Sequence, residues 1–380
     1  MNVKNKKINL LFVLIQAQAG GSERVALDIA RHIDRSEFNV YAAFFSPGTL
    51  LKEYEKVCDG VFVIPKKNGI DLHAMIQISK IIKDKGIDVV NAHHFMPFVY
   101  CFLGSRILNR RVLIYTEHTL EEVRQVSSKF KNMTNMLFYQ TNVVVGISRE
   151  LAQLFKGEYP SHIERICCIQ NGIDTKRFQI KVNREQKRAE LDLMPDHFVI
   201  GCVANFRKQK NHLCMIRAVD LLKERYPNVR LLLVGSSDHG NMEGTEGDVR
   251  TLINKCGLND KVRILGSRKD VPEILQCMDA FCLSSFYEGL PLSVLEAMAS
   301  KVPIVGSDVE GIREVIKHEK TGLLFASNDH QALANAISSL IDEVQLRDNL
   351  KREGFDYVIG NHSVGAWVSS CEKLFKSAIY

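Results

Sequence analysis

The chain has 380 residues, long for one hydrophobic core and comfortable for two domains of about 150 to 200 residues each. With 46% hydrophobic and 25% charged residues it has the composition of an ordinary globular protein, which excludes long disordered or low-complexity tracts. The net charge of +6 is uneven: residues 1–185 hold 26 Lys and Arg against 18 Asp and Glu, and residues 186–380 hold 24 against 26. That asymmetry leaves two readings open, a solvated surface and a basic N-terminal half resting on an anionic membrane face.

Lys4, Lys6 and Lys7 precede an apolar run, but the run is strand-length and no small-residue cleavage site follows, so no signal peptide is expected. No apolar segment approaches the roughly 20 residues needed to span a bilayer. Apolar runs predict strands over 8–15, 40–45, 61–64, 89–93, 112–117, 143–147 and 166–169, with helical periodicity between them, as at 22–32 and 72–85. Strands alternating with helices of this length imply a parallel sheet covered on both faces. A polar stretch at 183–188 follows, and the alternation restarts with strands at 198–203, 229–234, 262–265, 280–283, 303–306 and 322–325. The restart places a boundary within 179–190, giving an N-terminal domain 1–180 and a C-terminal domain 181–362. The last segment, 363–380, is apolar at helical spacing and is expected to pack back on the N-terminal domain. The ten cysteines contain no C-x-x-C pair and read as reduced, mostly buried thiols.

The chemistry concentrates in Ser284-Ser285-Phe286-Tyr287-Glu288-Gly289-Leu290-Pro291-Leu292-Ser293-Val294-Leu295-Glu296-Ala297-Met298-Ala299, which leaves a strand, crosses a tight loop and enters a helix. Free N–H groups at such a helix start suit an anionic or hydroxyl-rich ligand. Two carboxylates there would repel phosphate, but they can accept hydrogen bonds from sugar or ribose hydroxyls. Two surface glutamates near a helix start are the plainer reading of the segment alone.

The spacing Glu288-x7-Glu296, followed by Pro303-Ile304-Val305, Gly311-Ile312-Arg313-Glu314-Val315-Ile316 and Gly322-Leu323-Leu324, resembles the signature of the family-4 retaining glycosyltransferases of GT-B fold. Asn171-Gly172-Ile173-Asp174 with Phe178, and Gly20-Gly21-Ser22-Glu23, continue the resemblance in the same order across nearly the whole chain. It implies an α/β, GT-B architecture, two facing Rossmann-like domains with the active site in the inter-domain cleft. It also implies roles for residues. Glu296 would receive the ribose hydroxyls of a nucleotide-sugar donor, Glu288 would orient the donor sugar, and the N–H groups of Gly289 and Leu290 would hold sugar hydroxyls or phosphate oxygens. Pro291 lacks an N–H that relatives with glycine there possess.

The leaving nucleoside diphosphate develops charge that cations or oriented dipoles must meet. No D-x-D pair occurs in the chain, so no metal or other cofactor is expected. Ala204-Asn205-Phe206-Arg207-Lys208-Gln209-Lys210-Asn211 is similar to the family's diphosphate clamp, although Asn205 stands where many relatives carry the arginine. Arg207 and Lys210 take that role, with a solvated basic loop as the bland alternative. His118, in Tyr115-Thr116-Glu117-His118-Thr119, matches a histidine that faces the donor sugar and stabilises an oxocarbenium-like transition state; a lone histidine there is otherwise usually structural. His93 and His94 rank second. Gly20 and Gly21 sit where backbone approaches phosphate or sugar, and the absence of G-x-G-x-x-G weakens a nicotinamide reading. The loop 266–270, with Arg268, is expected to contact the base, UDP being the first expectation.

The expected activity is retaining, metal-independent transfer of a hexose or N-acetylhexosamine from a nucleotide sugar to an acceptor hydroxyl by same-face substitution. The acceptor is expected to be a saccharide or a lipid-linked saccharide of bacterial surface polysaccharide assembly. A cytoplasmic location, peripheral on the inner face of the membrane, follows, with residues 123–137 as a contact segment or as an ordinary amphipathic helix. Nucleic acid is not an expected partner. The rivals are a nucleotide-sugar 2-epimerase on the same fold and a non-enzymatic nucleotide-sugar-binding module.

Overall fold

The structure is a computed structural model and describes residues 6–18, 20–237 and 245–379. Lys4, Ala19 and Tyr380, which entered the sequence patterns, lie outside the described residues. The chain divides into two compact units, the first running to Gly172 and taking in Val364 onward, the second running from Ile173 to Ser363.

Unit 1 is built on a seven-stranded sheet: β1 (Ile8–Gln16), β2 (Phe38–Ser46), β3 (Gly60–Val63), β4 (Val89–His93), β5 (Val112–Glu117), β6 (Val143–Gly146) and β7 (Ile166–Cys168). Their order is β3-β2-β1-β4-β5-β6-β7, and every pairing is parallel. A parallel strand is covered on both faces and must be apolar throughout, which is why Leu10, Leu11, Phe12, Val13 and Leu14 are all fully buried. Unit 2 repeats the plan with β8 (Phe198–Val203), β9 (Val229–Val234), β10 (Val262–Gly266), β11 (Ala280–Leu283), β12 (Ile304–Ser307) and β13 (Leu323–Phe325), in the order β10-β9-β8-β11-β12-β13. Every strand foreseen in the apolar runs forms, with ends displaced by at most two residues. Each unit is an α/β, Rossmann-like doubly wound domain.

The division falls earlier than the 1–180 and 181–362 boundary read from composition. Residues 173–180 belong to unit 2 because tertiary contacts claim them. The N–H of Ile173 donates to the carbonyl of His362 (2.9 Å). The turn Thr175–Phe178 packs on the helices Leu292–Ala299 and Val271–Gln276, and Phe178 is buried there. The Gln276 amide donates to the carbonyls of Phe178 (3.2 Å) and Ile180 (2.9 Å).

The final helix, Val364–Ser377, lies in unit 1 against the helix Gly21–His32. Its apolar face buries Trp367, Val368, Cys371 and Phe375. Phe375 meets Phe12 of β1 and Phe38 of β2 edge-on, each with ring centroids 6.3 Å apart. Glu372 accepts from the N–H of Asp34 (2.7 Å), and Lys376 pairs with Glu37. Burying the Phe375 side chain is worth about 1.5–3 kcal/mol, which ties the chain's end to the sheet of unit 1. Cys101, Cys202, Cys214, Cys277, Cys282 and Cys371 are buried free thiols, while Cys168 is exposed.

Candidate functional site

Ligands of open parallel sheets collect outside the carboxyl ends of the strands, at the place where strand order reverses. The reversal lies between β1 and β4 in unit 1 and between β8 and β11 in unit 2. Gly20 follows β1, and His93 and His94 end or follow β4; Arg207 and Lys210 follow β8, and Glu288 follows β11. Topology alone therefore assembles most of the residues singled out in the sequence, at one switch point in each unit.

In unit 2 the loops after β8 and β11 are laced together. Lys210 Nζ donates to Glu288 Oε1 at 2.5 Å, and the Ser285 hydroxyl donates to the same oxygen at 2.6 Å. Glu288 is buried, so a charged, hydrogen-bonded partner is the condition for its presence there. Backbone contacts hold the pair in place. The Ser284 hydroxyl reaches the carbonyls of Lys210 (3.1 Å) and Asn211 (2.9 Å), and the N–H of Phe286 donates to the Gln209 carbonyl (2.8 Å). Asn211 turns the chain with φ of 47°, and its side-chain amide donates to Asn328. Below it, His212 stacks on Phe206 with centroids 4.6 Å apart, and burial depresses its pKa to about 4. Arg207 forms no ion pair among the described residues, and its Nε is buried without a partner. Gly311 must be glycine, since a Cβ there would stand 2.4 Å from the carbonyl oxygen of Gly289. Glu296 lies half-buried in the helix Leu292–Ala299.

In unit 1 the ends of β1, β4 and β5 meet in a buried polar network. Tyr115, on β5, donates its hydroxyl to Glu117 Oε2 (2.6 Å), while Glu117 Oε1 accepts the N–H groups of His118 (2.6 Å) and Thr119 (3.1 Å). His94 Nδ1 faces Glu117 Oε1 (3.1 Å) and Glu122 Oε2 (2.8 Å). Its Nε2 lies 3.0 Å from the Ser22 hydroxyl, which already donates to Glu23 Oε2 (2.9 Å). Both ring nitrogens of His94 must therefore donate, which makes it an imidazolium. Burial opposes that charge, but the Glu117 and Glu122 carboxylates outweigh it and hold the His94 pKa well above its usual value. Burial, with the charge of Glu122, raises Glu117; Glu122 is lowered against burial by its hydrogen bond to His94. The ligand-type atoms of His94, Glu117 and Glu122 lie within 4.8 Å of one another, and these hydrogen bonds already satisfy them. His94 holds φ of 72°, a strained value for a residue with a Cβ. Beside it the rings of His93 and His118 stack, with His93 Nδ1 2.8 Å from His118 Nε2. Burial drives the His93 pKa down to about 3 and that of His118 well below its usual value.

Two family models match the chain in tandem, Glycosyltransferase Family 4 over residues 19–177 and Glycosyl transferases group 1 over residues 183–357. The chain belongs to this glycosyltransferase family. It is 25% identical over 354 residues to the UDP-Gal:alpha-D-GlcNAc-diphosphoundecaprenol alpha-1,3-galactosyltransferase of Escherichia coli, covering 90% of both chains. It is 26% identical over 309 residues to the N-acetyl-alpha-D-glucosaminyl L-malate synthase of Bacillus anthracis, covering 80% of this chain and 78% of that one. Among solved structures, HepE of Anabaena in complex with UDP-glucose superimposes with a TM-score of 0.87 at 21% identity, over 97% of this chain and 100% of that one. The fold is that of the GT-B glycosyltransferases.

Within this glycosyltransferase the structure joins Lys210 to Glu288 and His118 to His93, and it sets Glu23 against Gly20. A Cβ at Gly20 would lie 2.3 Å from Glu23 Oε2, so a buried carboxylate occupies the turn at the start of the helix Gly21–His32. A carboxylate in that turn disfavours phosphate at the Gly20–Gly21 backbone. Arg268 spends its guanidinium on Asp270 (2.8 and 2.6 Å), which also pairs with Lys187 (2.8 Å). Sequence reasoning missed Ser285, Ser22, Glu117 and Glu122. Ser285 and Glu117 stood inside the quoted motifs, but their value lies in partners far along the chain.

Proposed function

We propose that the chain is a retaining, metal-independent glycosyltransferase that moves a hexose or N-acetylhexosamine from a UDP-sugar to an acceptor hydroxyl. The Lys210–Glu288–Ser285 cluster at the switch point of unit 2 carries this reading. Lys210 is paired with Glu288, whereas Arg207, in the same loop, forms no ion pair among the described residues. A diphosphate leaving group would recruit both cations, with Arg207 supplying the net charge that a metal supplies elsewhere. Glu288, pinned from two sides, would orient the donor sugar, and Glu296 would take the ribose hydroxyls. The N–H groups of Gly289 and Leu290 would hold sugar hydroxyls or phosphate oxygens, and the loop with Arg268 would read the base. His118, with Gly20 and Gly21, would contact the donor sugar. The acceptor proton passes to the departing phosphate oxygen as the new glycosidic bond forms on the same face.

A UDP-sugar and a lipid-linked saccharide fit the activity of the Escherichia coli relative and the UDP-glucose bound by HepE. No described helix is long and apolar enough to cross a membrane. The helix Leu120–Gln140 instead exposes Phe130, Met133, Met136 and Tyr139 beside Lys129 and Lys131, a surface suited to an anionic bilayer and to an acceptor held in it.

The deciding experiment offers UDP-glucose, UDP-galactose and UDP-N-acetylglucosamine with a lipid-linked acceptor in EDTA and assigns the anomer of the product. Transfer with retained configuration is expected. Inverted product, a strict metal requirement, or epimerised nucleotide sugar without acceptor would each overturn the reading. In the same assay Glu296→Ala should raise the donor KM and His118→Ala should mainly lower kcat.

A further inference from the structure

His93 and His118 form a hydrogen bond between ring nitrogens, His93 Nδ1 to His118 Nε2 at 2.8 Å, and one of the two must carry the proton. The other nitrogen of His93 decides which. His93 is fully buried, and its Nε2 has no hydrogen-bond partner among the described residues. A neutral imidazole has a single N–H. If that hydrogen sat on Nε2, a buried donor would be orphaned, with only the neighbouring Phe12 ring, 5.7 Å away between centroids, to face. An N–H against an aromatic ring is a weak substitute for a hydrogen bond. If the hydrogen sits on Nδ1, it is used in the bond to His118, and the atom left over is a lone pair, which costs less to bury. His93 is therefore the donor and His118 Nε2 the acceptor.

We infer that His93 is a positioning residue that holds His118 as the tautomer protonated on Nδ1. The role rests on the transferase reading, but the tautomer does not. His118 then offers a substrate one hydrogen-bond donor, Nδ1–H, because its Nε2 lone pair is occupied. It can hold an oxygen of the donor sugar or phosphate, but it has no free nitrogen with which to accept a proton from the acceptor. The surroundings favour a neutral ring. The His94 imidazolium lies 5.0 Å from His118 between ring centroids, and the carboxylate nearest in sequence, Glu117, takes the His118 backbone N–H and leaves the ring alone. Glu122 and Glu23 are engaged with His94 and Ser22. The chemistry assigned to the acceptor proton in the proposed reaction, passage to the departing phosphate, is the one this tautomer requires.

The test is nitrogen NMR of the full chain labelled with 15N-histidine, with the His118 resonances assigned by their loss in His118→Asn. A pyridine-like Nε2 and a pyrrole-like Nδ1 are expected at neutral pH. The reverse pattern, or a doubly protonated ring, overturns the inference. Kinetics test the role. His93→Leu should lower kcat by about tenfold, the worth of one hydrogen bond, with donor KM unchanged. His93→Asn, whose amide can donate from the same place, should recover most of the loss. Equal losses in both variants would reduce His93 to a packing residue. The tautomer is read without donor or acceptor, so an Nδ1-protonated His118 in a chain that transfers no sugar would count against the proposed function alone.

Discussion

The two switch points solve the same topological problem with opposite electrostatics. In unit 2 a lysine and a glutamate meet at 2.5 Å, and Arg207, three residues before that lysine, forms no ion pair among the described residues, so on the proposed reading the site is poised for an anion. In unit 1 one imidazolium is shared among carboxylates, two neutral histidines stack beside it, and Glu23 fills the turn at Gly20. The carboxylate at the Gly20 turn disfavours phosphate there. On the proposed reading the same strand order yields a diphosphate end and a sugar end, and the difference comes from which side chains the strand-end loops carry.

The strongest way to break this comparison is to remove the unit 2 pair. Lys210→Met should lower kcat/KM by about 100- to 1,000-fold, as loss of a group aimed at developing charge does. It should also destabilise the protein by about 3 kcal/mol, because Glu288 stays buried without a counter-ion. Adding Glu288→Gln should restore most of the stability and none of the activity. Recovery of both would mean that the pair is structural. Steady-state kinetics and urea unfolding on the three variants measure this.

Next in size is Glu117→Gln in unit 1. Glu117 accepts from Tyr115, His118 and Thr119 and balances His94, so its amide would leave donors facing donors and a cation half-neutralised. A loss of about 3 kcal/mol is expected in urea unfolding. A change below about 1 kcal/mol would show that the network is loosely held.

The strands were legible because a buried parallel strand favours a run of apolar residues, and runs such as 198–203 and 280–283 coincide with β8 and β11. The Glu288–Glu296 motif was legible because its residues are local. The unit 1 network was not. His94 and Glu117 come from two strand ends and Ser22 and Glu122 from two helices, and only the folded sheet reveals that their atoms meet. Residues 173–180 fall in unit 2 because its helices bury Phe178, a contact between distant residues that the strand-and-helix pattern does not display.

A smaller effect comes from pH. His93 has a folded pKa of about 3, depressed by burial, against about 6.5 in the unfolded chain. Between those values the unfolded state binds the proton and the folded state does not, so stability falls as pH falls. At pH 5 the cost is about 2 kcal/mol for His93, with His118 acting in the same direction. His94 acts oppositely. Its raised pKa gives stability fully present below about 6.5 and lost as pH rises through the folded value. Unit 1 should be most stable near neutrality, and His93→Asn should flatten the acid side between pH 5 and 6.5. An unchanged slope in unfolding measurements would mean that His93 is charged in the fold.

The smallest effect on stability sharpens the comparison at the surface of unit 1. The helix Leu120–Gln140 sends Glu122 into the buried network and, past a kink at Phe130, exposes Met133 and Met136. One element therefore serves the sugar end and, on the proposed reading, the bilayer that carries the acceptor. Met136 is 63% exposed and Met133 37%, so Met133→Ser with Met136→Ser should change unfolding free energy by no more than about 1 kcal/mol. The donor KM with a water-soluble acceptor should not move. Binding to vesicles containing anionic lipid should fall several-fold, and the basic residues Lys129 and Lys131 should make what remains sensitive to salt. If vesicle binding is untouched while the acceptor is still used, the exposed methionines have no membrane role, and the lipid-linked acceptor must reach unit 1 by another face.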